Sequence, residues 1–386
     1  MERYDVIVIG LGGVGSAVVD ALARRGVRVL GLEQHDLAHD RGSSHGESRI
    51  IRKAYFEHPD YVPLLQSAYA GWRALEAETG ARLFERTGLL LVGPEQGAVV
   101  AGTRASAEAH GLALEIADAS DLSARFPGFR DAPGCLSVYE ADAGLLRVEA
   151  AVAAALARAG VYGATLRARQ GLVRWRPEGD GVVVISAHGE ARADRLVVCA
   201  GAWAGPTLGS LAALLRPRRK VQLWLPCDNP ALRLDAGCPT FGFQVNGSFF
   251  YGFPSLDGAT VKVADHGGGA PVEDPGALDR ALHPADHAAV RAFVAERLIG
   301  VRDEIRRHAV CMYTMSPDEH FILDRLPEHP CVSFAAGLSG HGFKFMPALG
   351  AALADLALEG RTAHPIGFLS AARLQRSDQT PMPMVE

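Results

Sequence analysis

The chain opens with two periodicities in close succession. Val6–Ile9 is an unbroken apolar run of strand length, a glycine cluster follows at Gly10, Gly12 and Gly15, and Val14, Ala17, Val18, Ala21 and Leu22 then recur at helical spacing up to Gly26. A second apolar run, Val27–Leu32, closes on Glu33. This pattern predicts strand, tight turn, helix and strand. Arg49–Tyr55 predicts a helical segment with Arg49 and Arg52 on one face. Leu64, Leu65, Ala68, Trp72 and Leu75 predict a longer amphipathic helix ended by Gly80, with short strands at Phe84 and Leu89–Val92 beyond it. Two shorter helices are predicted at Ala101–His110 and Leu122–Phe126, then an alanine-rich one at Leu146–Ala159. Leu172–Trp175 and Val182–Ile185 flank Gly179-Asp180-Gly181 as a hairpin, and Leu196–Cys199 reads as a buried strand running into small residues at Ala200 and Gly201. From Arg216, prolines punctuate sheet-forming runs at Val221–Leu225, Phe249–Phe253 and Thr260–Ala264, before a helix at Ala285–Leu298. Strands at Phe321–Leu323 and Val332–Ala336 lead to a glycine-rich turn, Gly337–Lys344, and a last helix ending near Gly360.

These elements predict an α/β plus α+β fold. A Rossmann-like dinucleotide-binding domain of glutathione-reductase type is assembled from residues 1–84, 140–215 and 308–376. A second, mostly antiparallel-sheet substrate domain takes residues 85–139 and 216–307, and 377–386 form a loose polar tail.

Composition narrows the function. A chain of 386 residues with 48% apolar and 22% charged residues has room for two domains and a large core. A net charge of −5 argues against nucleic acid or an anionic membrane as partner. No apolar run reaches the roughly 18 residues of a membrane span, and the N-terminus enters a strand without the charged region of a signal peptide. The six cysteines are scattered and form no CxxC pair, so no metal site and no disulfide framework is expected, and a reducing cytoplasm is the natural home.

The opening motif carries the first chemistry. Gly10 suits a tight turn, Gly12 admits a pyrophosphate to the backbone, and Gly15 lets the helix pack on the strand. The helix N-terminus offers amides and a positive dipole end to the phosphates. Glu33 would accept from a ribose diol and repel a 2′-phosphate, which disfavours NADP without deciding between FAD and NAD. Three further groups stand out. His45, Arg49 and Arg52 read either as a cationic pocket for a carboxylate or as a solvated basic face. Tyr251, Lys262 and His266 surround a lysine set between Val261 and Val263; its ammonium either has a partner or a task, or points outward from an edge strand, which the periodicity favours. Cys311, followed by polar residues and paired here with the Gly337–Lys344 turn, is either a small buried apolar residue or a reactive thiol.

Taken in order, DVIVIGLGGVGS, GSSHGESRIIRKAY, VVCAGAW, FFYGFPS, CMYTMSPDEHFILD and AAGLSGHGFKF resemble the monomeric sarcosine oxidase and N-methyltryptophan oxidase family over nearly the whole chain. These are flavin amine-acid oxidases with covalently attached FAD. The resemblance implies that Cys311 forms a thioether to the flavin 8α-methyl (an S-8α-cysteinyl link), and that Arg52 and Lys344 hold the substrate carboxylate with Tyr55 nearby. It implies that Lys262 sits near flavin N5, where oxygen is reduced, and that His45, Arg49, Tyr251, His266, Tyr313 and Gly340 line flavin or substrate. Gly10, Gly12, Val14, Gly15, Glu33, Gln34 and Ser43 match the ADP-binding side. Ala200, Gly201, Trp203, Met312, Gly342 and Phe343 complete the cofactor set. The chain departs from the family pattern at Ser44-His45, where many members have consecutive histidines. It also departs at Gly242, where sarcosine-specific members carry a larger apolar residue, so Gly242 implies room for a bulkier substrate.

The resemblance implies a cytoplasmic, monomeric FAD oxidase of secondary amino acids such as sarcosine or a bulkier N-methyl amino acid. Oxygen is the acceptor, and the products are the demethylated amino acid, formaldehyde and hydrogen peroxide. The alternatives are an oxidase of cyclic imino acids such as pipecolate or proline, or of glycated amino acids; an NAD-dependent dehydrogenase; and a flavin-binding protein without turnover.

Overall fold

The computed structural model describes residues 1–171 and 173–375. Leu172, where the hairpin was expected to begin, and residues 376–386, which contain the expected tail, lie outside the described residues.

The strand Glu2–Ile9 lies parallel between Val29–Leu32 and Gly189–Val198. Val6, Ile7 and Val8 are fully buried, as a strand covered on both faces requires. Thr165–Arg167 extends this sheet on one side, and the hairpin Arg174–Glu178 and Gly181–Ser186 extends it on the other. His329–Ala336 pairs with the end of Gly189–Val198 and with Ile322–Leu326, making eight strands. The helix Gly13–Ala23 covers one face, with Val148–Val161 and Met346–Glu359 packed against it. Two glycines permit this approach. A Cβ at Gly15 would stand 1.7 Å from the Gly10 carbonyl oxygen, and one at Gly350 would stand 2.6 Å from the Ala17 Cβ. Gly10 itself turns at φ +85°, a left-handed conformation that glycine adopts without cost.

A second eight-stranded sheet runs in the order Arg307–Met315, Arg216–Pro226, Thr260–Asp265, Ser248–Phe253, Thr240–Val245, Leu89–Gly93, Leu136–Glu140 and Glu115–Asp118. Its pairings are antiparallel except that of Thr240–Val245 with Leu89–Gly93. Pro284–Arg297 covers one face, with Phe293 stacked on Phe250 at 4.7 Å between ring centroids.

Three expectations are corrected. The sequence reading placed residues from 308 onward in the first domain, yet Arg307–Met315 hydrogen-bonds along Arg216–Pro226 and belongs to the second sheet. The helix expected across Arg49–Tyr55 is instead the strand Ser48–Ile51, paired with Gly144–Arg147 in a small third sheet with Phe84–Glu85. Adjacent β-branched Ile50 and Ile51 favour an extended chain once a partner strand is at hand. That partner also takes Leu146 out of the following helix, which begins at Val148. Finally, Thr260–Asp265 lies between two strands, so Lys262 does not point outward from an edge and is only 3% exposed.

Gly15→Ala should cost about 3 kcal/mol in thermal unfolding, since the methyl has no space against the Gly10 carbonyl. Gly26→Ala, at φ +73° with nothing within 4 Å, should cost about 1 kcal/mol and serves as the comparison.

Candidate active site

A long cleft runs along the carboxyl end of the first sheet, where ligands of such sheets bind. Its lining draws on the glycine turn, the Glu33 strand end, the Cys199–Trp203 segment and the Gly337–Phe343 turn. It is lined by Gly10, Gly12, Val14, Glu33 and Gln34, by Ala200, Gly201 and Trp203, and by Ser43, Met312, Tyr313, Gly340, Gly342 and Phe343. The Phe343 ring lies beside the glycine turn, 2.9 Å from where a Cβ at Gly13 would stand. Gly15 does not line the cleft; its role is the helix contact.

Glu33 ends its strand with its carboxylate turned back to the glycine turn. It accepts from the Leu11 amide at 2.9 Å and the His35 amide at 3.1 Å, and pairs with His39 at 3.2 Å. Burial raises the Glu33 pKa, but His39 and the two amides outweigh it, so the carboxyl stays below its ordinary range. The helix that begins at Gly13 has no side-chain cap from its own turn; the Gly13 amide donates instead to Ser44 Oγ at 3.0 Å. Ser44, the departure from paired histidines, therefore binds the phosphate-facing end of the helix. Ser43 Oγ donates to the Met312 carbonyl at 2.6 Å, tying this loop to the strand Arg307–Met315. A cleft lined by the glycine turn, an acid for a ribose diol and a helix N-terminus facing it fit FAD.

A second cavity joins the first, sharing Arg49, Tyr313, Gly340 and Phe343 with it. It gathers Arg52, Lys344, Tyr251 and His266, which lie far apart in sequence. Arg52 sits just past the strand Ser48–Ile51, so both arginines reach this cavity without sharing a helical face. Its guanidinium donates to the Ala54 carbonyl at 3.0 Å and to Glu57 at 2.5 Å, and lies 4.0 Å over the Phe56 ring. Lys344 Nζ donates to the His341 carbonyl at 2.8 Å and reaches the Tyr55 hydroxyl at 3.4 Å. Burial, then the Arg52 charge, pulls Lys344 down to about 7. His266 falls to about 3, from burial and then the Lys220 charge, so its ring is neutral at working pH. Tyr251 and Tyr313 face each other, hydroxyl to hydroxyl, at 3.3 Å. The tight turn at Gly340, φ +83°, lets Tyr313 approach, since a Cβ there would meet its ring at 2.3 Å.

Several expected site residues lie elsewhere. Tyr55 does not line the cavity; it stands behind Lys344, held by His341 Nδ1 at 2.6 Å. Lys262 lines a third cavity with Ser48 and Trp224, and its Nζ donates to the Gly46 carbonyl at 2.5 Å and to Ser48 O and Oγ at 2.9 and 3.2 Å. Burial and then Arg49 push its ammonium well below the ordinary lysine range, while these three oxygens supply an acceptor for each N–H. Arg49 connects the two places, donating to the Ser48 carbonyl at 2.8 Å while lining both the cleft and the second cavity. His45 lines neither; it is 3% exposed, its Nε2 has no partner, and burial followed by Arg49 lowers it to about 3. Cys311 is buried behind Met312, its sulfur accepting from Gln222 Nε2 at 3.2 Å. Gly242 is not part of the lining, because the Phe249 ring lies across it. The implied room for a bulkier substrate is therefore filled.

His39 lines the cleft and Glu57, Phe249 and His341 the second cavity, and none of the four is singled out by the sequence pattern. Glu57 carries at most a faint signal, as the first acid after Arg49, Arg52 and Lys53. His39 lay within the histidine-bearing loop that follows Glu33, but nothing in the spacing singled it out.

Comparison with known proteins agrees with this geometry. The pattern of the FAD dependent oxidoreductase family matches residues 5–356. A monomeric sarcosine oxidase of Streptomyces avermitilis is 42% identical over 96% of this chain and 98% of its own length. An N-methyl-L-tryptophan oxidase of Salmonella arizonae is 35% identical over 98% of this chain and all of its own. Among solved structures, NikD, described as an unusual amino acid oxidase essential for nikkomycin biosynthesis, superposes with a TM-score of 0.83 at 27% identity, covering 96% of this chain and 98% of that one.

Below about pH 7 Lys344 carries its proton and attracts a carboxylate; above it the proton is lost. Affinity for acetate, followed by calorimetry between about pH 5.5 and 9, where the ligand stays ionised, should be highest at the acid end and weaken through pH 7, with Arg52 and Arg49 as the neighbouring like charges and Glu57 as the opposing one. Lys344→Met should remove this bend and weaken binding at pH 6 about tenfold or more.

Proposed function

The chain belongs to the FAD dependent oxidoreductase family, and from that premise we propose that it oxidises N-methyl amino acids with oxygen as acceptor. The products are the demethylated amino acid, formaldehyde and hydrogen peroxide. The observation that carries this reading is the placing of Arg52 and Lys344 in a cavity that shares Arg49, Tyr313, Gly340 and Phe343 as walls with the cleft. The family assignment removes the NAD-dependent alternative.

Bound FAD supplies the acceptor for the substrate's two electrons. The chain supplies grip, orientation and charge. A substrate carboxylate takes the place of Glu57 on Arg52 and is held from a second direction by Lys344, fixing the neighbouring carbon and nitrogen. Arg49, Arg52 and Lys344 make the cavity cationic, which favours the neutral form of the bound amine, the form able to give up hydride. The neutral His266 and the Tyr251–Tyr313 hydroxyl pair offer acceptors for the amine N–H. Lys262, beyond Arg49 and Ser48, is the cation we assign to oxygen reduction, where negative charge builds up. Cys311 is the residue we assign to covalent attachment, as the resemblance implies; it directly precedes Met312, which lines the cleft, whereas burial pushes the thiol of the cleft-lining Cys199 up to about 12, away from the thiolate form. We read the chain as cytoplasmic on its scattered free cysteines, and as a monomer on its likeness to the monomeric sarcosine oxidases.

The holoprotein should bleach anaerobically with sarcosine or another N-methyl amino acid and form peroxide on aeration. A flavin that stays oxidised with every such amine would overturn the reading. Lys262→Met should slow reoxidation by oxygen roughly a hundredfold or more while anaerobic reduction changes little; equal slowing of both half-reactions would remove its assigned role. Cys311→Ser should leave the flavin extractable by acid precipitation, whereas flavin that remains with the pellet places the link elsewhere.

A further inference from the structure

Gly242 and Phe249 sit on neighbouring strands of one hairpin, Thr240–Val245 and Ser248–Phe253, with Gly242 opposite Tyr251 and Gln244 opposite Phe249. Alternation places Gly242, Phe249 and Tyr251 on the same face of the sheet, the face that forms a wall of the substrate cavity. A Cβ at Gly242 would meet Phe249 Cζ at 2.5 Å and Cε2 at 2.7 Å, with Leu91 Cδ2 at 3.0 Å. Gly242 is thus the seat of the Phe249 ring. The ring is wedged by Phe56, edge to face at 5.3 Å, and by His266 at 6.1 Å. Phe56 also carries the Arg52 guanidinium on its face. The aromatic wall therefore begins beside the carboxylate anchor, and a substituent on the carbon next to the carboxylate would meet it first.

We propose that Phe249, laid across Gly242, is the residue that sets substrate size, and that it restricts this enzyme to N-methyl amino acids with hydrogen or a methyl on the α-carbon. This rests on the N-methyl amino acid reading above. It reverses the inference from Gly242 alone, because the volume a small residue vacates on one strand is occupied by a large one on the next. The two positions act as one unit, and a side chain at 242 is compatible with the fold only when the one at 249 is reduced.

The test uses Phe249→Ala, the milder Phe249→Leu, Gly242→Met, and the double variant Gly242→Met/Phe249→Ala, each as holoprotein. Peroxide formation is measured with sarcosine, N-methyl-L-alanine and N-methyl-L-phenylalanine. The ratio of kcat/KM for N-methyl-L-phenylalanine to that for sarcosine should rise at least tenfold in Phe249→Ala and less, in the same direction, in Phe249→Leu. The double variant should bring it back towards the starting value. Gly242→Met alone should lower the thermal midpoint, and the double variant should recover it. A ratio unchanged within threefold in both Phe249 variants, or Gly242→Met tolerated without loss, overturns the proposal. A parallel arm needs no turnover: dissociation constants for acetate and 3-phenylpropanoate, read from the perturbed flavin spectrum. If no N-methyl amino acid is oxidised by any form, the functional reading fails. The ratio of the two constants then still decides on Phe249, by shifting at least tenfold towards the larger acid in Phe249→Ala or by not shifting.

Discussion

Burial of positive charge is the constraint that shapes this molecule. Arg52, Lys262 and Lys344 are each less than a tenth exposed, and Arg49 lies between them. Leaving such groups in a poorly solvated interior is costly unless each N–H finds an oxygen. The chain meets this demand mainly with backbone carbonyls, at Gly46, Ser48, Ala54 and His341, with Glu57 as the carboxylate partner of Arg52. A carbonyl satisfies a proton without cancelling the charge, so the field survives for an anionic substrate. The local backbone follows from this requirement. The loop 42–48 has to bring its carbonyls inward, and the strand Ser48–Ile51 has to be held rigidly by Gly144–Arg147. Gly46 turns at φ +91° and Glu47 at φ +69°, the second an uncommon conformation for a side-chain-bearing residue, and the carboxylate of Glu149 accepts from both their amides.

How much of this was readable in the chain follows from the range of each interaction. The opening strand, turn and helix were legible because their determinants are local: apolar runs, three glycines at fixed offsets and an acid ending the next strand. The 2.5 and 1.7 Å clearances at Gly10 and Gly15 explain why no other residue type would serve there. Arg49–Ile51 reads as helix from charge spacing alone; the weak β preference of Ile50 and Ile51 becomes decisive only with a partner strand about a hundred residues away. Lys262 was misread as an edge residue because periodicity reports alternation but not how many neighbours a strand has. Gly242 failed for a related reason. A missing side chain signals space only if nothing from the next strand fills it, and Phe249 lies on that strand.

The two large sheets divide the work. The first offers its carboxyl edge and a helix N-terminus to the cleft, and the second lends Phe249, Tyr251 and Tyr313 as an aromatic wall to the second cavity, whose cations Arg49, Arg52 and Lys344 come from outside that sheet. They meet at Tyr313, Gly340 and Phe343, where a glycine in a left-handed turn lets a tyrosine ring lie against the backbone.

The strand Arg307–Met315 has a mechanical consequence. It bears Cys311, yet it is stitched along its length to Arg216–Pro226 rather than to the nucleotide layer. On the attachment proposed at Cys311, a ring system anchored by its dinucleotide tail in one layer and by sulfur in the other would be a rivet between them. Hinge opening of the two layers would then strain that attachment itself.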